Sequence, residues 1–253
     1  MNTQSLANTV DTAAKNATAI PQLTTQHSFD VDESYAIQAA SIENRYARGE
    51  QFIGLKMGFT SEAKMKQMGV HDMIWGRLTD AMLIQNGGQL PMSRCIHPRA
   101  EPELAFRVSK DIPGELTADT VKDYIDGVAA AIEIIDSRYE NFKFSLEDVI
   151  ADNCSSCGLV IGEWQDPSQP VGDLAIALNI DGEAKHSGSS QAILGDPWKA
   201  VAAATRLAEK YQQAIPAGSV IMAGAATPAE FLALGNKVEA TVEGLGSVGF
   251  EVG

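Results

Sequence analysis

The sequence predicts a mixed α and β fold, helix-rich in front and strand-rich behind. Three observations carry this. Two segments place apolar residues at helical spacing between recognisable caps. A series of short apolar runs is punctuated by Asn-Gly and Asp-Gly pairs. The composition, 45% apolar and 21% charged over 253 residues, is that of a globular chain long enough for a real core. The change of character falls near 70–80. Residues 1–75 read as a helix-rich part and 76–253 as a β-rich part, either two units or one continuous domain.

The first helix is expected over 30–49, "DVDESYAIQAASIENRYARG". Acidic residues occupy its first turn, Tyr35, Ala39, Ile42 and Tyr46 recur at helical spacing, and Gly49 is a natural stop. A short helix is expected over 60–69, capped by Thr60 or Ser61 and ended by Gly69. Asn86-Gly87-Gly88, within 81–91, signals a hairpin. The stretch 116–136 begins as a helix and ends as a buried strand, "AAIEII". "GLVIGEW" is a strand, and "LAIALNIDGEAKHS" a strand pair turning at Asp181-Gly182. The clearest helix spans 195–213, with Asp196 as N-cap and Pro197 in the first turn. "SVIMAGA" and a terminal hairpin, "KVEATVEGLGSVGFEV", close the chain.

Charge narrows the choice of partner. The net charge of -14 and a pI near 4.6 argue against nucleic acid and against anionic membranes, which would repel this surface. No apolar run is long enough to span a bilayer. "MNTQSLANTV" carries neither a basic n-region nor an apolar stretch, so no secretory signal is expected. Three cysteines fit a reducing cytoplasm better than a disulfide scaffold.

Several short motifs are better read as structure. Gly244-Leu-Gly-Ser-Val-Gly249 matches G-x-G-x-x-G, but a dinucleotide site needs a helix after it, and four residues remain; a glycine-rich turn is the better account. Cys154-x-x-Cys157 lacks a second pair for zinc, so it reads as small residues filling a packed turn. The four histidines show no ligand spacing.

The carboxylates are different. In "HPRAEPELAF", Glu101 and Glu103 are separated by Pro102, and in a strand they share one face. Glu133 lies in "AAIEII", among apolar neighbours, where an unpaired carboxylate is costly. Lys56 is similarly framed in "FIGLKMGF"; desolvation would lower its pKa and suit it to acid–base work. Three carboxylates plus water fit a hard cation such as Mg2+ or Mn2+. The competing account is a Lys56–Glu133 ion pair beside an exposed Glu101–Glu103 edge.

Taken with "GLKMGFTSEAKMKQMGV", "WGRLTDAM", "EIIDSRYENFKFSLEDVIADNCSS" and "GLGSVGFEV", these segments resemble the fumarylacetoacetate hydrolase superfamily, in its branch of 2-keto-4-pentenoate hydratases and 4-oxalocrotonate decarboxylases. The resemblance implies an α+β fold around a strongly bent, rolled mixed sheet, with helices in the N-terminal part and over one side. It implies Mg2+ or Mn2+ held by Glu101, Glu103 and Glu133. Lys56 would stand next to the metal and Asp80 near the substrate, both with catalytic roles. Gly58, Ser155 and Ser156 would close around a small 2-oxo acid. A cytoplasmic lyase of aromatic meta-cleavage catabolism is implied. It would be a homo-oligomer, alone or complexed with its sister hydratase or decarboxylase.

Within the branch, "RYENFKF" and "HPRAEPELAF" look more like decarboxylases, whereas "IMAGAATPAEF" departs from them. Decarboxylation of 2-oxo-3-hexenedioate is therefore expected, with hydration of 2-hydroxypenta-2,4-dienoate as the alternative. A non-catalytic keto-acid-binding partner would have no need of a lysine sunk in an apolar strand. An acylpyruvate hydrolase would want a His–Glu pair that "GFTSEAKMKQMGV" lacks.

Overall fold

The computed structural model describes residues 2–61, 65–66 and 72–253. Most of the short helix expected over 60–69 lies outside them. The architecture is α+β, with a strongly curled mixed sheet and few helices. Helix α1 (Thr3–Lys15), capped by Asn2, packs on α2 (Val31–Ala47). The sequence reading did not anticipate α1, although Leu6, Ala7, Val10 and Ala13 supply the buried stripe. Asp30 caps α2 in a reciprocal capping box with Glu33. The buried face of α2 is rotated from the expected one and takes in Ser34, Gln38 and Ser41. Gln38 bonds the carbonyls of Trp75 and Ile150 and accepts from Arg77, so polar residues there are satisfied.

Eight strands form the larger sheet. Its order is β2 (Ile74–Thr79), β1 (Phe52–Gly58), β10 (Val220–Met222), β5 (Arg99–Val108), β6 (Ile125–Ile135), β7 (Ser156–Ile161) and β3 (Leu83–Ile84), with β11 (Glu230–Phe231) also on β5. The second sheet runs β4 (Gln89–Leu90), β13 (Gly246–Val252), β12 (Lys237–Val242), β8 (Ala175–Ile180) and β9 (Glu183–Ser189). Leu104, Phe106, Ile132, Val238, Ala240 and Phe250 belong to one buried cluster that joins the two. Helix α3 (Leu146–Ala151) packs on α2, and α4 (Pro197–Lys210), capped by Asp196, packs on β1 and β10.

Two local expectations need correction. Asn86-Gly87-Gly88 does turn the chain, but β3 pairs with β7 and β4 with β13, each in parallel, so no hairpin forms. Residues 116–136 contain only a 3-10 turn, Thr120–Tyr124, before β6 begins at Ile125. The apolar run "AAIEII" is a strand as expected, and the strand starts earlier, at Ile125, buried on both faces between β5 and β7.

Pro102 sits inside β5 at little cost. Its carbonyl accepts from Ala226 on the side where β10 has ended at Met222 and β11 begins only at Glu230. A residue's N–H and C=O point to the same side of a strand, so the missing donor falls in that gap. The chain leaves β10 through Gly224, at φ +103, where an added Cβ would lie 2.1 Å from Thr60 Oγ1. Gly224→Ala is expected to cost roughly 2–5 kcal/mol, from backbone strain and overpacking together. A urea midpoint unchanged from the parent protein would contradict this.

Candidate functional site

The site begins with two neighbouring strands. On β5, Glu101 and Glu103 face the same way, and the antiparallel register sets Glu133 of β6 directly opposite Glu101. Like charges so placed repel. The flanking apolar residues nevertheless bury the cluster: Glu103 and Glu133 are both 0% exposed, which rules out the exposed-edge account. One oxygen from each of the three carboxylates lies within 4.8 Å of the others. Glu103 Oε2 accepts the Gly224 N–H at 2.9 Å. Glu103 Oε1 and Glu133 Oε1 have no hydrogen-bond donor among the described residues. Converging carboxylate oxygens, with Glu103 Oε1 and Glu133 Oε1 buried and without a donor among the described residues, are the donor set of a hard divalent cation.

Lys56 comes from β1, held between Gly76 of β2 and Met222 of β10. Its Nζ lies 3.0 Å from Glu133 Oε2 and donates to the Cys154 carbonyl at 3.0 Å. The ion pair and the carboxylate cluster therefore coexist. Burial alone would lower the Lys56 pKa, as expected from sequence, but Glu133 above all, with Glu101 and Glu103, overcomes it and raises it above its ordinary value. Lys56 is thus a standing cation rather than a neutral base. Burial pushes Glu133 up to about 7, with Lys56 opposing and Glu101 reinforcing the rise. Glu103 is raised well above its ordinary value by burial and then by Glu133 and Glu101.

These shifts have a sign. A carboxyl with a raised folded-state pKa binds protons that the unfolded chain has released, so metal-free stability falls as pH climbs from about 4.5 to about 7. Cation binding must displace those protons. Calorimetry with Mn2+ at pH 6.5, in buffers of different ionisation enthalpy, is expected to show proton release and an affinity that grows toward pH 7. Binding heats independent of buffer would refute it.

The cluster opens into a cavity of about 340 Å3. Lys56, Gly58, Glu101 and Ser155 line it, as do Phe142 and Phe144. Ser155 follows Asn153 and Cys154, all three at positive φ (49°, 52° and 60°), a strained turn that aims the Cys154 carbonyl at Lys56. Ser155 Oγ is buried and has no partner among the described residues. Ser156 does not join it: it lines a separate cavity of about 570 Å3 with Arg138 and Cys157, and its Oγ lies beside Gly76. Nor does the structure bring Asp80 to the cluster. Asp80 is exposed, at the far end of β2, and accepts from the Gln51 N–H at 2.8 Å. Cys154 and Cys157 do not pair; Cys157 Sγ lies 3.9 Å from Cys95 Sγ, and Cys154 donates to the Trp75 carbonyl.

Sequence reasoning missed the Gly224 N–H and the Cys154 carbonyl, since backbone groups carry no residue signature. It also missed Arg99 in the cavity wall. The period of two along β5 was a sufficient signal for that one, since Arg99 shares the face of Glu101 and Glu103.

Comparison with known proteins agrees with this geometry. Residues 56–253 match the family model described as fumarylacetoacetate (FAA) hydrolase C-terminal. The chain is 47% identical over 250 residues to a 4-oxalocrotonate decarboxylase from a Pseudomonas species, covering 99% of this chain and 98% of that one. It is 33% identical over 224 residues to a 2-keto-4-pentenoate hydratase of Paraburkholderia xenovorans (strain LB400), covering 87% and 82%. The solved structure of the 4-oxalocrotonate decarboxylase from Pseudomonas putida G7, complexed with magnesium and adipate, superposes with a TM-score of 0.95 at 34% identity, over 99% of this chain and 97% of that one.

Proposed function

From the premise that this chain belongs to the fumarylacetoacetate (FAA) hydrolase family, we propose that it is a lyase decarboxylating 4-oxalocrotonate (2-oxo-3-hexenedioate) to 2-hydroxypenta-2,4-dienoate in meta-cleavage catabolism. The observation that carries this is the Glu101–Glu103–Glu133 cluster, buried at Glu103 and Glu133, beside Lys56, in a chain 47% identical to a 4-oxalocrotonate decarboxylase over nearly its whole length. Glu101, Glu103 and Glu133 are the residues that would hold a divalent cation, Mg2+ or Mn2+. When bound, it supplies a Lewis acid for the 2-oxo group.

The chain's own groups account for the rest. Loss of the far carboxylate as CO2 drives an electron pair through the double bond toward the 2-oxo oxygen. The charge that develops there is met by the Lys56 ammonium, fixed in place by the Cys154 carbonyl and Glu133. A fixed cation where charge grows lowers the barrier without reorganising. Lys56 can also give the proton that completes the dienol. Ser155 Oγ, buried without a partner, is a ready donor to the keto acid. The Gly58 backbone and the rings of Phe142 and Phe144 shape the cavity and exclude water. Hydration of the same dienol is the second reading, favoured by the hydratase relative.

The same reading places the protein in the cytoplasm as an oligomer, alone or joined to a sister pathway enzyme. Among the described residues no helix is long and apolar enough to cross a membrane. The test is incubation with 2-oxo-3-hexenedioate and Mg2+, following CO2 release and dienol absorbance together, with and without excess EDTA. CO2 release that tracks dienol formation and stops on chelation is expected. Full activity after chelation and dialysis, or consumption of the dienol alone, would refute it.

A further inference from the structure

Arg99 stands at the mouth of the cavity, on the same face of β5 as Glu101 and Glu103. Its guanidinium is clamped between two rings, with Cζ 3.9 Å from the Phe142 centroid and 4.0 Å from that of Phe231. Phe231 is placed there by register, since β11 pairs it with Arg99. Phe142 is placed at a conformational cost, because Asn141 and Phe142 both adopt positive φ, 59° and 55°. With both faces covered, only the N–H edge of the fork remains open. On that edge Arg99 Nε is buried and has no partner among the described residues. Every other charge in the cavity wall among the described residues belongs to the inner end, on Lys56 and Glu101.

A planar fork, stacked and rigid, with its edge unfilled, is built for a carboxylate. Arg99 lies two strand residues from Glu101, roughly 7 Å along β5. Five carbon–carbon bonds of about 1.5 Å each cover that interval in a zigzag. We propose that Arg99 reads the far carboxylate of a six-carbon 2-oxo dicarboxylate whose 2-oxo acid head sits at the Glu101–Glu103–Glu133 cluster. Arg99 thereby selects dicarboxylates over the monocarboxylate that a hydratase takes. This rests on the function proposed above and names its specificity determinant. The far carboxylate is the group lost as CO2, so Arg99 holds the ground state at least as firmly as the transition state. Its contribution belongs to KM and not to kcat.

The test uses the Mg2+-loaded protein and two non-reacting probes, 2-oxoadipate and 2-oxohexanoate, which differ only in the far carboxylate. The parent protein is expected to bind 2-oxoadipate at least about tenfold more tightly, the scale of one charge-assisted fork. Arg99→Gln should erase that preference while leaving 2-oxohexanoate affinity and Mg2+ affinity within about twofold. With 2-oxo-3-hexenedioate, Arg99→Gln should raise KM by about tenfold or more and leave kcat unchanged or higher. A preference that survives Arg99→Gln, or an equal loss for both probes, overturns the proposal. Phe142→Leu removes one ring of the clamp and no charge. It should reduce the preference by severalfold, and an unchanged preference there would equally count against the proposal should Arg99→Gln fail to fold. The probes need no turnover. A parent protein that prefers 2-oxoadipate yet releases no CO2 would sink the reaction and keep the assignment of Arg99. One that decarboxylates while Arg99→Gln keeps its preference would sink the assignment alone.

Discussion

Replacing Lys56 by alanine is expected to lower turnover by roughly a hundredfold or more, the scale of a lost acid–base or charge-stabilising group, with substrate affinity much less affected. The ammonium is fully buried, pinned by Glu133 and the Cys154 carbonyl, and its raised pKa keeps it charged throughout the working range. Its interaction with the 2-oxo oxygen strengthens as that oxygen gains charge, so the loss falls on kcat. A purely structural ion pair makes a different forecast. Lys56→Ala would then lower the melting temperature, and the folded, metal-saturated fraction would turn over normally. Measuring kcat on that fraction decides the matter. A loss of less than about threefold, under about 1 kcal/mol of barrier, would remove Lys56 from the chemistry.

The second large effect is expected at Glu103. Glu103→Gln should weaken Mn2+ binding by at least tenfold, since a hard-cation site loses one of its carboxylate ligands, while the metal-free protein becomes more stable at pH 8. The opposite signs have one cause. Glu103 is held above its ordinary pKa by burial, Glu133 and Glu101, so its ionised form destabilises the empty site, and a neutral amide relieves that. The amide still accepts the Gly224 N–H that Glu103 Oε2 accepts now. Calorimetry and melting curves on the same preparation test both halves; unchanged Mn2+ affinity would refute the ligand assignment.

Much of this site was legible because it is written in side chains at strand period. Glu101 and Glu103 declare a shared face, and Glu133 and Lys56 declare themselves by standing among apolar residues. What stayed hidden belongs to the backbone or to long-range pairing. No local pattern tells that β3 and β4 pair with different partners, or that the turn at Asn153–Ser155 aims a carbonyl at Lys56. Asp80 and Ser156 show the limit of reasoning by resemblance. Asp80 turns outward just past the end of β2, and Ser156, though next to Ser155 in the chain, opens β7 and lines a different cavity. The Lys56 pKa was misjudged for a related reason. Burial was visible in the sequence, whereas the three carboxylates that outweigh it become neighbours only in the fold.

The split ancestry of the site has a consequence for how it is made. Its carboxylates all sit on β5 and β6, consecutive antiparallel strands, whereas Lys56 is fixed only when β10 pairs with β1. On a ribosome adding about 5–20 residues per second, the interval from Glu133 to Met222 takes roughly 4–18 s. Local pairs form before distant ones close, so the acidic half exists for a time without its ammonium. In that interval a dication can supply the missing counter-charge. Millimolar Mg2+ is therefore expected to speed refolding from urea, as seen by stopped-flow fluorescence, and Glu103→Gln to fold at a rate indifferent to the ion. Refolding of the parent protein at the same rate with and without Mg2+ would show that the ion binds only the finished molecule.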